Sequence, residues 1–129
     1  MFSSNVYNYV NVLQTSLDAA SLRNELIANN IANVNTPDYK RKDLRFETEL
    51  KNAMYLSNED SVDARVDKLD LNALEPEVYT DYSELSYRMD GNNVDIDTEN
   101  AILAENQIKY EGLMTAMNQE FENLKSVMK

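Results

Sequence analysis

The sequence predicts a mainly α fold in which a long helix at each end of the chain pairs with the other as an antiparallel coiled coil. Between them lies an irregular acidic middle with room for a short β element. Three observations carry this reading. Near the N-terminus, Val6, Val10, Leu13, Leu17, Ala20, Asn24, Ile27, Ile31 and Val34 recur at alternating steps of four and three. Near the C-terminus, Leu103, Gln107, Tyr110, Met114, Met117, Phe121, Leu124 and Met128 do the same. The stretch between shows no sustained periodicity. A 4-3 alternation gathers apolar side chains into one narrow seam, and a seam needs a partner. The chain therefore divides into an N-terminal coiled-coil helix over 1–36, a middle segment over 37–97 and a C-terminal coiled-coil helix over 98–129.

Each seam carries one polar residue, Asn24 or Gln107. With opposed positions summing to about 134, at ~3.6 residues per turn, these two amides fall within one turn of each other and could pair. The alternative is that one or both face water or a neighbour. Val10, Leu13, Leu17, Asn24, Ile27 and Ile31, with Gln107, Tyr110, Met114, Met117, Phe121 and Leu124, form the expected assembly interface.

The first helix is predicted to begin near Ser4 or Asn5, either of which can cap free N–H groups. It is predicted to stop at Thr36, because Pro37 disfavours helical dihedrals in the residue before it. Asn29, Asn30, Asn33 and Asn35 crowd its last turns as a solvated face or as amides facing a neighbouring subunit. The run Asp38 to Phe46 places four cations within six residues. It reads as a solvated loop or as a contact with the acidic middle of an adjacent copy. Leu44, Glu47, Leu50 and Met54 suggest a short amphipathic helix within 44–56. From Ser57 to about Glu77 the chain reads mostly as loop, and the net charge of −10 over residues 58–100 predicts little core there in a lone monomer. Val78, Tyr79, Tyr82, Leu85, Tyr87 and Met89 are rich enough in tyrosine for a short strand or two.

The run Asp90 to Glu99 invites a calcium reading, which fails on spacing. An EF-hand loop needs glycine at its sixth position, and counting from Asp90 or Asn93 puts Asp95 or Thr98 there. A local account fits: Gly91 makes a turn, and Asp95 or Asp97 caps the second helix, which runs to Met128. Gly112 inside that helix costs about 1 kcal/mol relative to Ala, marking a close contact or simple tolerance.

Composition removes several functions. The net charge is −11, and residues 58–100 hold 13 Asp and Glu against 3 Lys and Arg. Such acidity opposes nucleic acid and anionic membranes, whose phosphates need clustered cations. The chain has no cysteine and no histidine, which removes disulfides, Ser–His and Cys–His nucleophile pairs and the usual zinc ligands. Paired acids such as Glu47 with Glu49 or Asp95 with Asp97 lack a group to orient them, so no catalytic site and no cofactor are expected. No apolar run approaches the ~18 residues of a membrane span, and no signal-peptide pattern is seen.

Two runs resemble the bacterial flagellar rod, hook and related axial proteins. One is Asn29-Asn30-Ile31-Ala32-Asn33-Val34-Asn35-Thr36-Pro37-Asp38-Tyr39-Lys40; the other is Asp90-Gly91-Asn92-Asn93-Val94-Asp95-Ile96-Asp97, followed by Glu105-Asn106 and Lys109-Tyr110. The second run and the length are similar to the proximal rod members in particular. Asn30, Ala32, Asn33, Thr36, Pro37 and Tyr39 match the first motif, and Asp90, Gly91, Asn92, Val94 and Asp95 the second. Asp38 departs from the glycine usual in the family, and Asp tolerates a positive φ better than most residues. The resemblance implies a structural subunit of the basal-body rod in the periplasm, exported without a cleaved signal and oligomeric when assembled. It implies other rod subunits, the adaptor and ring components of the rod base, and the flagellar export apparatus as partners. The competing reading is a soluble helical adaptor or export chaperone of a secretion apparatus.

Overall fold

The computed structural model describes residues 2–71, 74–85 and 87–128, with the backbone alone for residues 2–6. Its elements are α1 (Phe2–Ala32), β1 (Lys42–Arg45), α2 (Glu47–Leu56), α3 (Val62–Asp67), β2 (Glu77–Thr80) and α4 (Ile96–Met128). The two long helices run antiparallel, since Asn24 meets Asn106 and, one end further on, Asn30 meets Glu99.

On α1 the seam lies where the periodicity puts it. Ala20 and Ile27 are buried, and Val10, Leu13, Leu17, Asn24 and Ile31 are half-buried, while Val34 falls in the turn beyond the helix end. Val6 falls among the residues whose side chains lie outside the description. On α4 the face toward α1 is set one residue earlier than read. It runs Glu99, Leu103, Asn106, Tyr110, Leu113, Met117, Glu120 and Leu124, all buried or half-buried. Gln107, Met114, Phe121 and Met128 are left exposed. Leu103, Tyr110, Met117 and Leu124 belong to both frames, so the choice falls to the positions between them. Hydropathy favours Met114 and Phe121, but Asn106 finds acceptors across the seam that an inward Gln107 would have to replace.

Helix α1 is already helical at Phe2, upstream of Ser4 and Asn5, so neither residue caps it. It also ends at Ala32, four residues before Thr36. The chain unwinds there because the carbonyls of Asn33, Val34 and Thr36 are taken by the Asn92 side chain instead of by further helical turns. At the other motif Asp95 is the residue that caps α4, its carboxylate accepting from the amides of Asp97 (3.1 Å) and Thr98 (3.5 Å).

The middle segment is more ordered than its composition suggests. β1 and β2 pair antiparallel, Lys42 opposite Thr80 and Arg45 opposite Glu77. Ala19 of α1, Phe46 and Leu74 are buried together, with Leu44, Leu50, Ala53, Leu69 and Leu71 packed around them. These residues are too scattered in sequence to show a period, and they converge on the flank of α1 away from its seam. Helix α3, capped by the Ser61 hydroxyl, is tied to α1 by hydrogen bonds from Tyr9 to Asp63 and from Asn8 to Asp67. The expectation of little core over residues 58–100 is therefore corrected: Val66, Leu74 and Val94 are buried, and Leu69 and Leu71 pack beside Leu74. Among the described residues, no helix is long and apolar enough to cross a membrane.

A candidate assembly junction where the two motifs meet

The two signature runs fold against each other and form one polar junction at the end of the helix pair. Asn30, on the last turn of α1, is fully buried and uses all four hydrogen-bonding positions of its amide. Its Nδ2 donates to the Lys42 carbonyl (2.8 Å) and Glu99 (3.2 Å), while its Oδ1 accepts from the Lys42 amide (2.9 Å) and the Tyr39 hydroxyl (3.2 Å). Asn33 holds the turn locally, donating to the Asn29 carbonyl and accepting from the Thr36 hydroxyl.

From the second run, Asn92 supplies the clasp described above at 2.8–3.1 Å and closes on itself by accepting from the Val94 amide (2.7 Å). Arg88 adds a donor to the Val34 carbonyl (2.8 Å) and pairs with Asp90. Asn93 accepts from the Arg41 amide (2.7 Å) and donates to the Asp81 and Ser83 carbonyls. Backbone bonds close the contact: the Asp38 amide donates to the Asp90 carbonyl (2.8 Å), and the Asn93 amide to that of Tyr39 (3.3 Å). Asp38 has φ 59°, the left-handed conformation its side chain tolerates. Facing it, Gly91 has φ 77°, and a Cβ there would crowd the Asp38 carboxylate oxygen. Conformation is what favours glycine there, since the exposed Asp38 carboxylate is the free end of a side chain that can swing aside.

Beneath the turns lies a charge cluster. Arg41 donates to Glu99, to Asp43 (3.2 Å) and to Asp81 (3.4 Å), and Arg23 donates to Asp43 through two nitrogens (2.9 and 3.3 Å). Glu99 is fully buried and Asp43 nearly so. Burial works to raise the Asp43 pKa, but the Arg23 bonds, the Leu44 amide and Arg41 outweigh it and hold the carboxyl below its usual range. The same balance runs the other way at Arg41: burial works against its charge, and Glu99 and Asp43 more than offset it. Burial and the Glu99 charge raise the Tyr39 hydroxyl. Among the described residues, every buried side-chain polar atom has a partner. The cluster is spent on cross-linking α1, β1, the β2 exit and α4, which makes it a structural keystone with no free nucleophile or base.

The structure brings Asn33, Thr36 and Tyr39 to Asn92 and Asn93, and Asp38 to Asp90 and Gly91, while Asn30 reaches Glu99 and Asp95 caps α4. Ala32 ends α1 at the surface, Pro37 is exposed in the turn, and Val94 is buried beneath it. Of the basic stretch 40–45, Arg41 meets acids of its own chain, Lys40 donates to the Gly91 carbonyl and Arg45 lies over the Tyr79 ring, a third outcome beside the loop and the adjacent-copy contact. Asn24 pairs with Asn106, not with Gln107, which is exposed. Sequence reasoning missed Arg23, Asp43, Asp81, Asn93 and Glu99 as members of this network. One signal was available: Glu99, Leu103 and Asn106 continue the 4-3 spacing with two polar residues, a pattern that marks a buried polar layer.

A groove of about 740 Å³ opens beside the junction between α1, α2 and α4, walled by Ala19, Ala20, Phe46, Leu50, Gly112 and Leu113.

The chain is similar over its whole length to known proteins. A family model described as flagella basal body rod protein matches residues 11–40. The flagellar basal body rod protein FlgB of Bacillus subtilis (strain 168) is 34% identical over 134 residues, covering 99% of this chain and 95% of its own. That of Borreliella burgdorferi is 34% identical, covering 88% and 90%, and that of Salmonella typhimurium is 29% identical, covering 89% and 88%.

Proposed function

The chain belongs to the FlgB family of flagellar basal body rod proteins, and on that premise we propose that it is a structural subunit of the rod, polymerising through its terminal helices into the proximal segment that transmits torque. The observation that carries this reading is the full-length match to basal-body rod proteins in a chain whose polar network is used up in cross-linking its own elements. A torque-bearing subunit needs many small contacts that share load, which an antiparallel pair locked at one end by a dense hydrogen-bond junction provides. Its place is the flagellar basal body, in the periplasmic stretch of the rod, reached by export without a cleaved signal. Its partners are other rod subunits and the adaptor and ring components at the rod base, with the export apparatus as the route there. No chemistry is assigned to it.

Deleting the encoding gene and imaging basal bodies in situ tests this. The expected result is loss of the rod and of motility, both restored by the intact chain. Rods of normal length in the deletion strain overturn the reading.

A further inference from the structure

We propose that the Asp90-Gly91 peptide is a covalent modification site, where the chain isomerises spontaneously to isoaspartate, and that the closed junction locks Asp90 against the reaction. The chain has two glycines, and only Gly91 follows an Asp or Asn. Without a Cβ beside it, the Gly91 nitrogen is the least hindered backbone nucleophile that could follow an acid. The chemistry needs no reagent but water. The Gly91 nitrogen attacks the Asp90 Cγ; the N–Cγ bond forms, the Cγ–O bond breaks, and the oxygen leaves as water with the acid proton and the amide proton. Water then adds back to the five-membered imide. Breaking the N–Cγ bond restores aspartate. Breaking the bond from nitrogen to the backbone carbonyl instead leaves the main chain running through the side chain, one methylene longer.

The folded junction opposes each requirement of that step. Loss of water needs a protonated carboxyl, and Asp90 is held as the anion. Arg88 donates to its two oxygens through Nε (3.2 Å) and Nη2 (3.0 Å), and the Asn92 amide donates to Oδ1 (3.2 Å). Those bonds, Arg88 first, keep the carboxyl below its usual range. Attack also makes Cγ tetrahedral, which breaks the planar fork with the guanidinium. Bringing the nitrogen onto Cγ requires rotation about the Asp90 Cα–C or Cα–Cβ bond. The first is restrained at the Asp90 carbonyl, which accepts from the Asp38 amide (2.8 Å), and the second at the carboxylate. Beyond them the Gly91 carbonyl accepts from the Lys40 ammonium. Water is not what is withheld, because the Asp90 side chain is 36% exposed. The lock exists only while the end of α1 is seated: Arg88 Nη2 also donates to the Val34 carbonyl (2.8 Å), and Asn92 holds the carbonyls of Asn33, Val34 and Thr36. Opening the junction therefore frees acid, nitrogen and guanidinium together. The added methylene then displaces Asn92 from its acceptors, so a chain that isomerises while open cannot close as before.

Isoaspartate in the full chain is read by enzymatic methylation and located by peptide fragmentation after incubation at neutral pH. The folded chain is expected to accumulate it about tenfold or more slowly than the chain in guanidinium. In guanidinium it should concentrate at residue 90 and fall about fivefold or more with Gly91→Ala, whose methyl hinders the nitrogen. Folded Arg88→Met is expected to age about threefold or more faster than wild type, with Arg88→Lys between them, since lysine keeps the charge but not the two-nitrogen fork. Hydrogen exchange at the Asp38 and Asn93 amides, both bonded across the junction, reports whether each variant stays closed. Equal rates in the folded and unfolded chains overturn the lock, as do Arg88 variants that stay closed and age at the wild-type rate. Where a variant opens, the folded-to-unfolded ratio of the wild-type chain decides alone. No isoaspartate at residue 90 in the unfolded chain, or as much at other acids as there, overturns the site. None of these outcomes bears on the rod reading, which stands or falls on the deletion strain.

Discussion

Asn106 donates a hydrogen bond to the Asn24 side-chain oxygen across the helix seam at 2.7 Å and a second to the Ala20 carbonyl at 2.8 Å. This pair lies in the helix interface between Leu103 and Tyr110, where an amide without a partner is expensive. It fixes the register, since sliding either helix by a turn separates both groups.

Replacing one member should strand the other. Asn106→Leu or Asn24→Leu alone is expected to cost about 1–3 kcal/mol, and the double change less than the sum by about 0.5–3 kcal/mol. Gln107→Leu, at an exposed position, should be near neutral. Urea unfolding of the four chains checks this. Strict additivity, or a Gln107→Leu cost equal to that of Asn106→Leu, contradicts the pairing.

Gly91→Ala should cost about 1–3 kcal/mol, chiefly because it adds a strained φ and secondarily because the Asp38 carboxylate must move aside. Asp38→Gly removes that carboxylate and suits φ 59°. It should be close to neutral by itself and should reduce the Gly91→Ala penalty. Thermal melts of the two single variants and the double variant decide the matter, and equal penalties in both backgrounds would refute it.

Arg41→Met leaves Glu99 buried with Asn30 as its remaining hydrogen-bond donor. A loss of about 3–5 kcal/mol is expected, as for a buried pair broken on one side. Arg41→Met with Glu99→Leu should recover part of it, since the stranded charge is then gone. Chemical denaturation of single and double variants provides the readout.

Asp43 has a folded pKa held below its usual 3.8. Its stabilising contribution is therefore complete above that value and drains away as pH falls through the lower folded one. Arg23→Met should reduce the steepness of acid unfolding in this window while leaving the slope between pH 5 and 8 unchanged. An acid limb identical to wild type would exclude the linkage.

At the alkaline end, the Tyr9 hydroxyl is pushed up to about 12, first by its hydrogen bond to Asp63 and then by burial and nearby acids. The raised value means stability held below pH 10 and lost as pH rises toward 12. Ultraviolet titration should show Tyr9 and Tyr39 both ionising late, with the Tyr9 component lost in Tyr9→Phe and the Tyr39 component kept. Asp63→Asn should move the Tyr9 component toward 10.

Much of this was legible in the sequence. The 4-3 spacing located both long helices, and the Asp38 turn and the Asp95 cap follow from local chemistry. The frame of α4 was not decidable by hydropathy, because Leu103, Tyr110, Met117 and Leu124 fit both choices and the deciding contact, Asn106 to Ala20, spans 86 residues. The early end of α1 depends on Asn92, up to 59 residues downstream. Asp43 and Glu99 read as ordinary surface acids until the fold brings Arg23 and Arg41 to them. The middle core, with Phe46 and Leu74 far apart in sequence, has no period to detect.

Helix α1 touches the rest of the molecule on two flanks, α4 along one and β1 with α3 along the other. Removing α4 therefore leaves α1 still seated, whereas removing α1 dismantles both sides. The order of opening follows: the far half of α4, beyond Met117 and remote from the junction, peels first, and α1 with the β ribbon opens last. A subunit with this hierarchy can offer its C-terminal helix to a neighbour while its own scaffold stays closed.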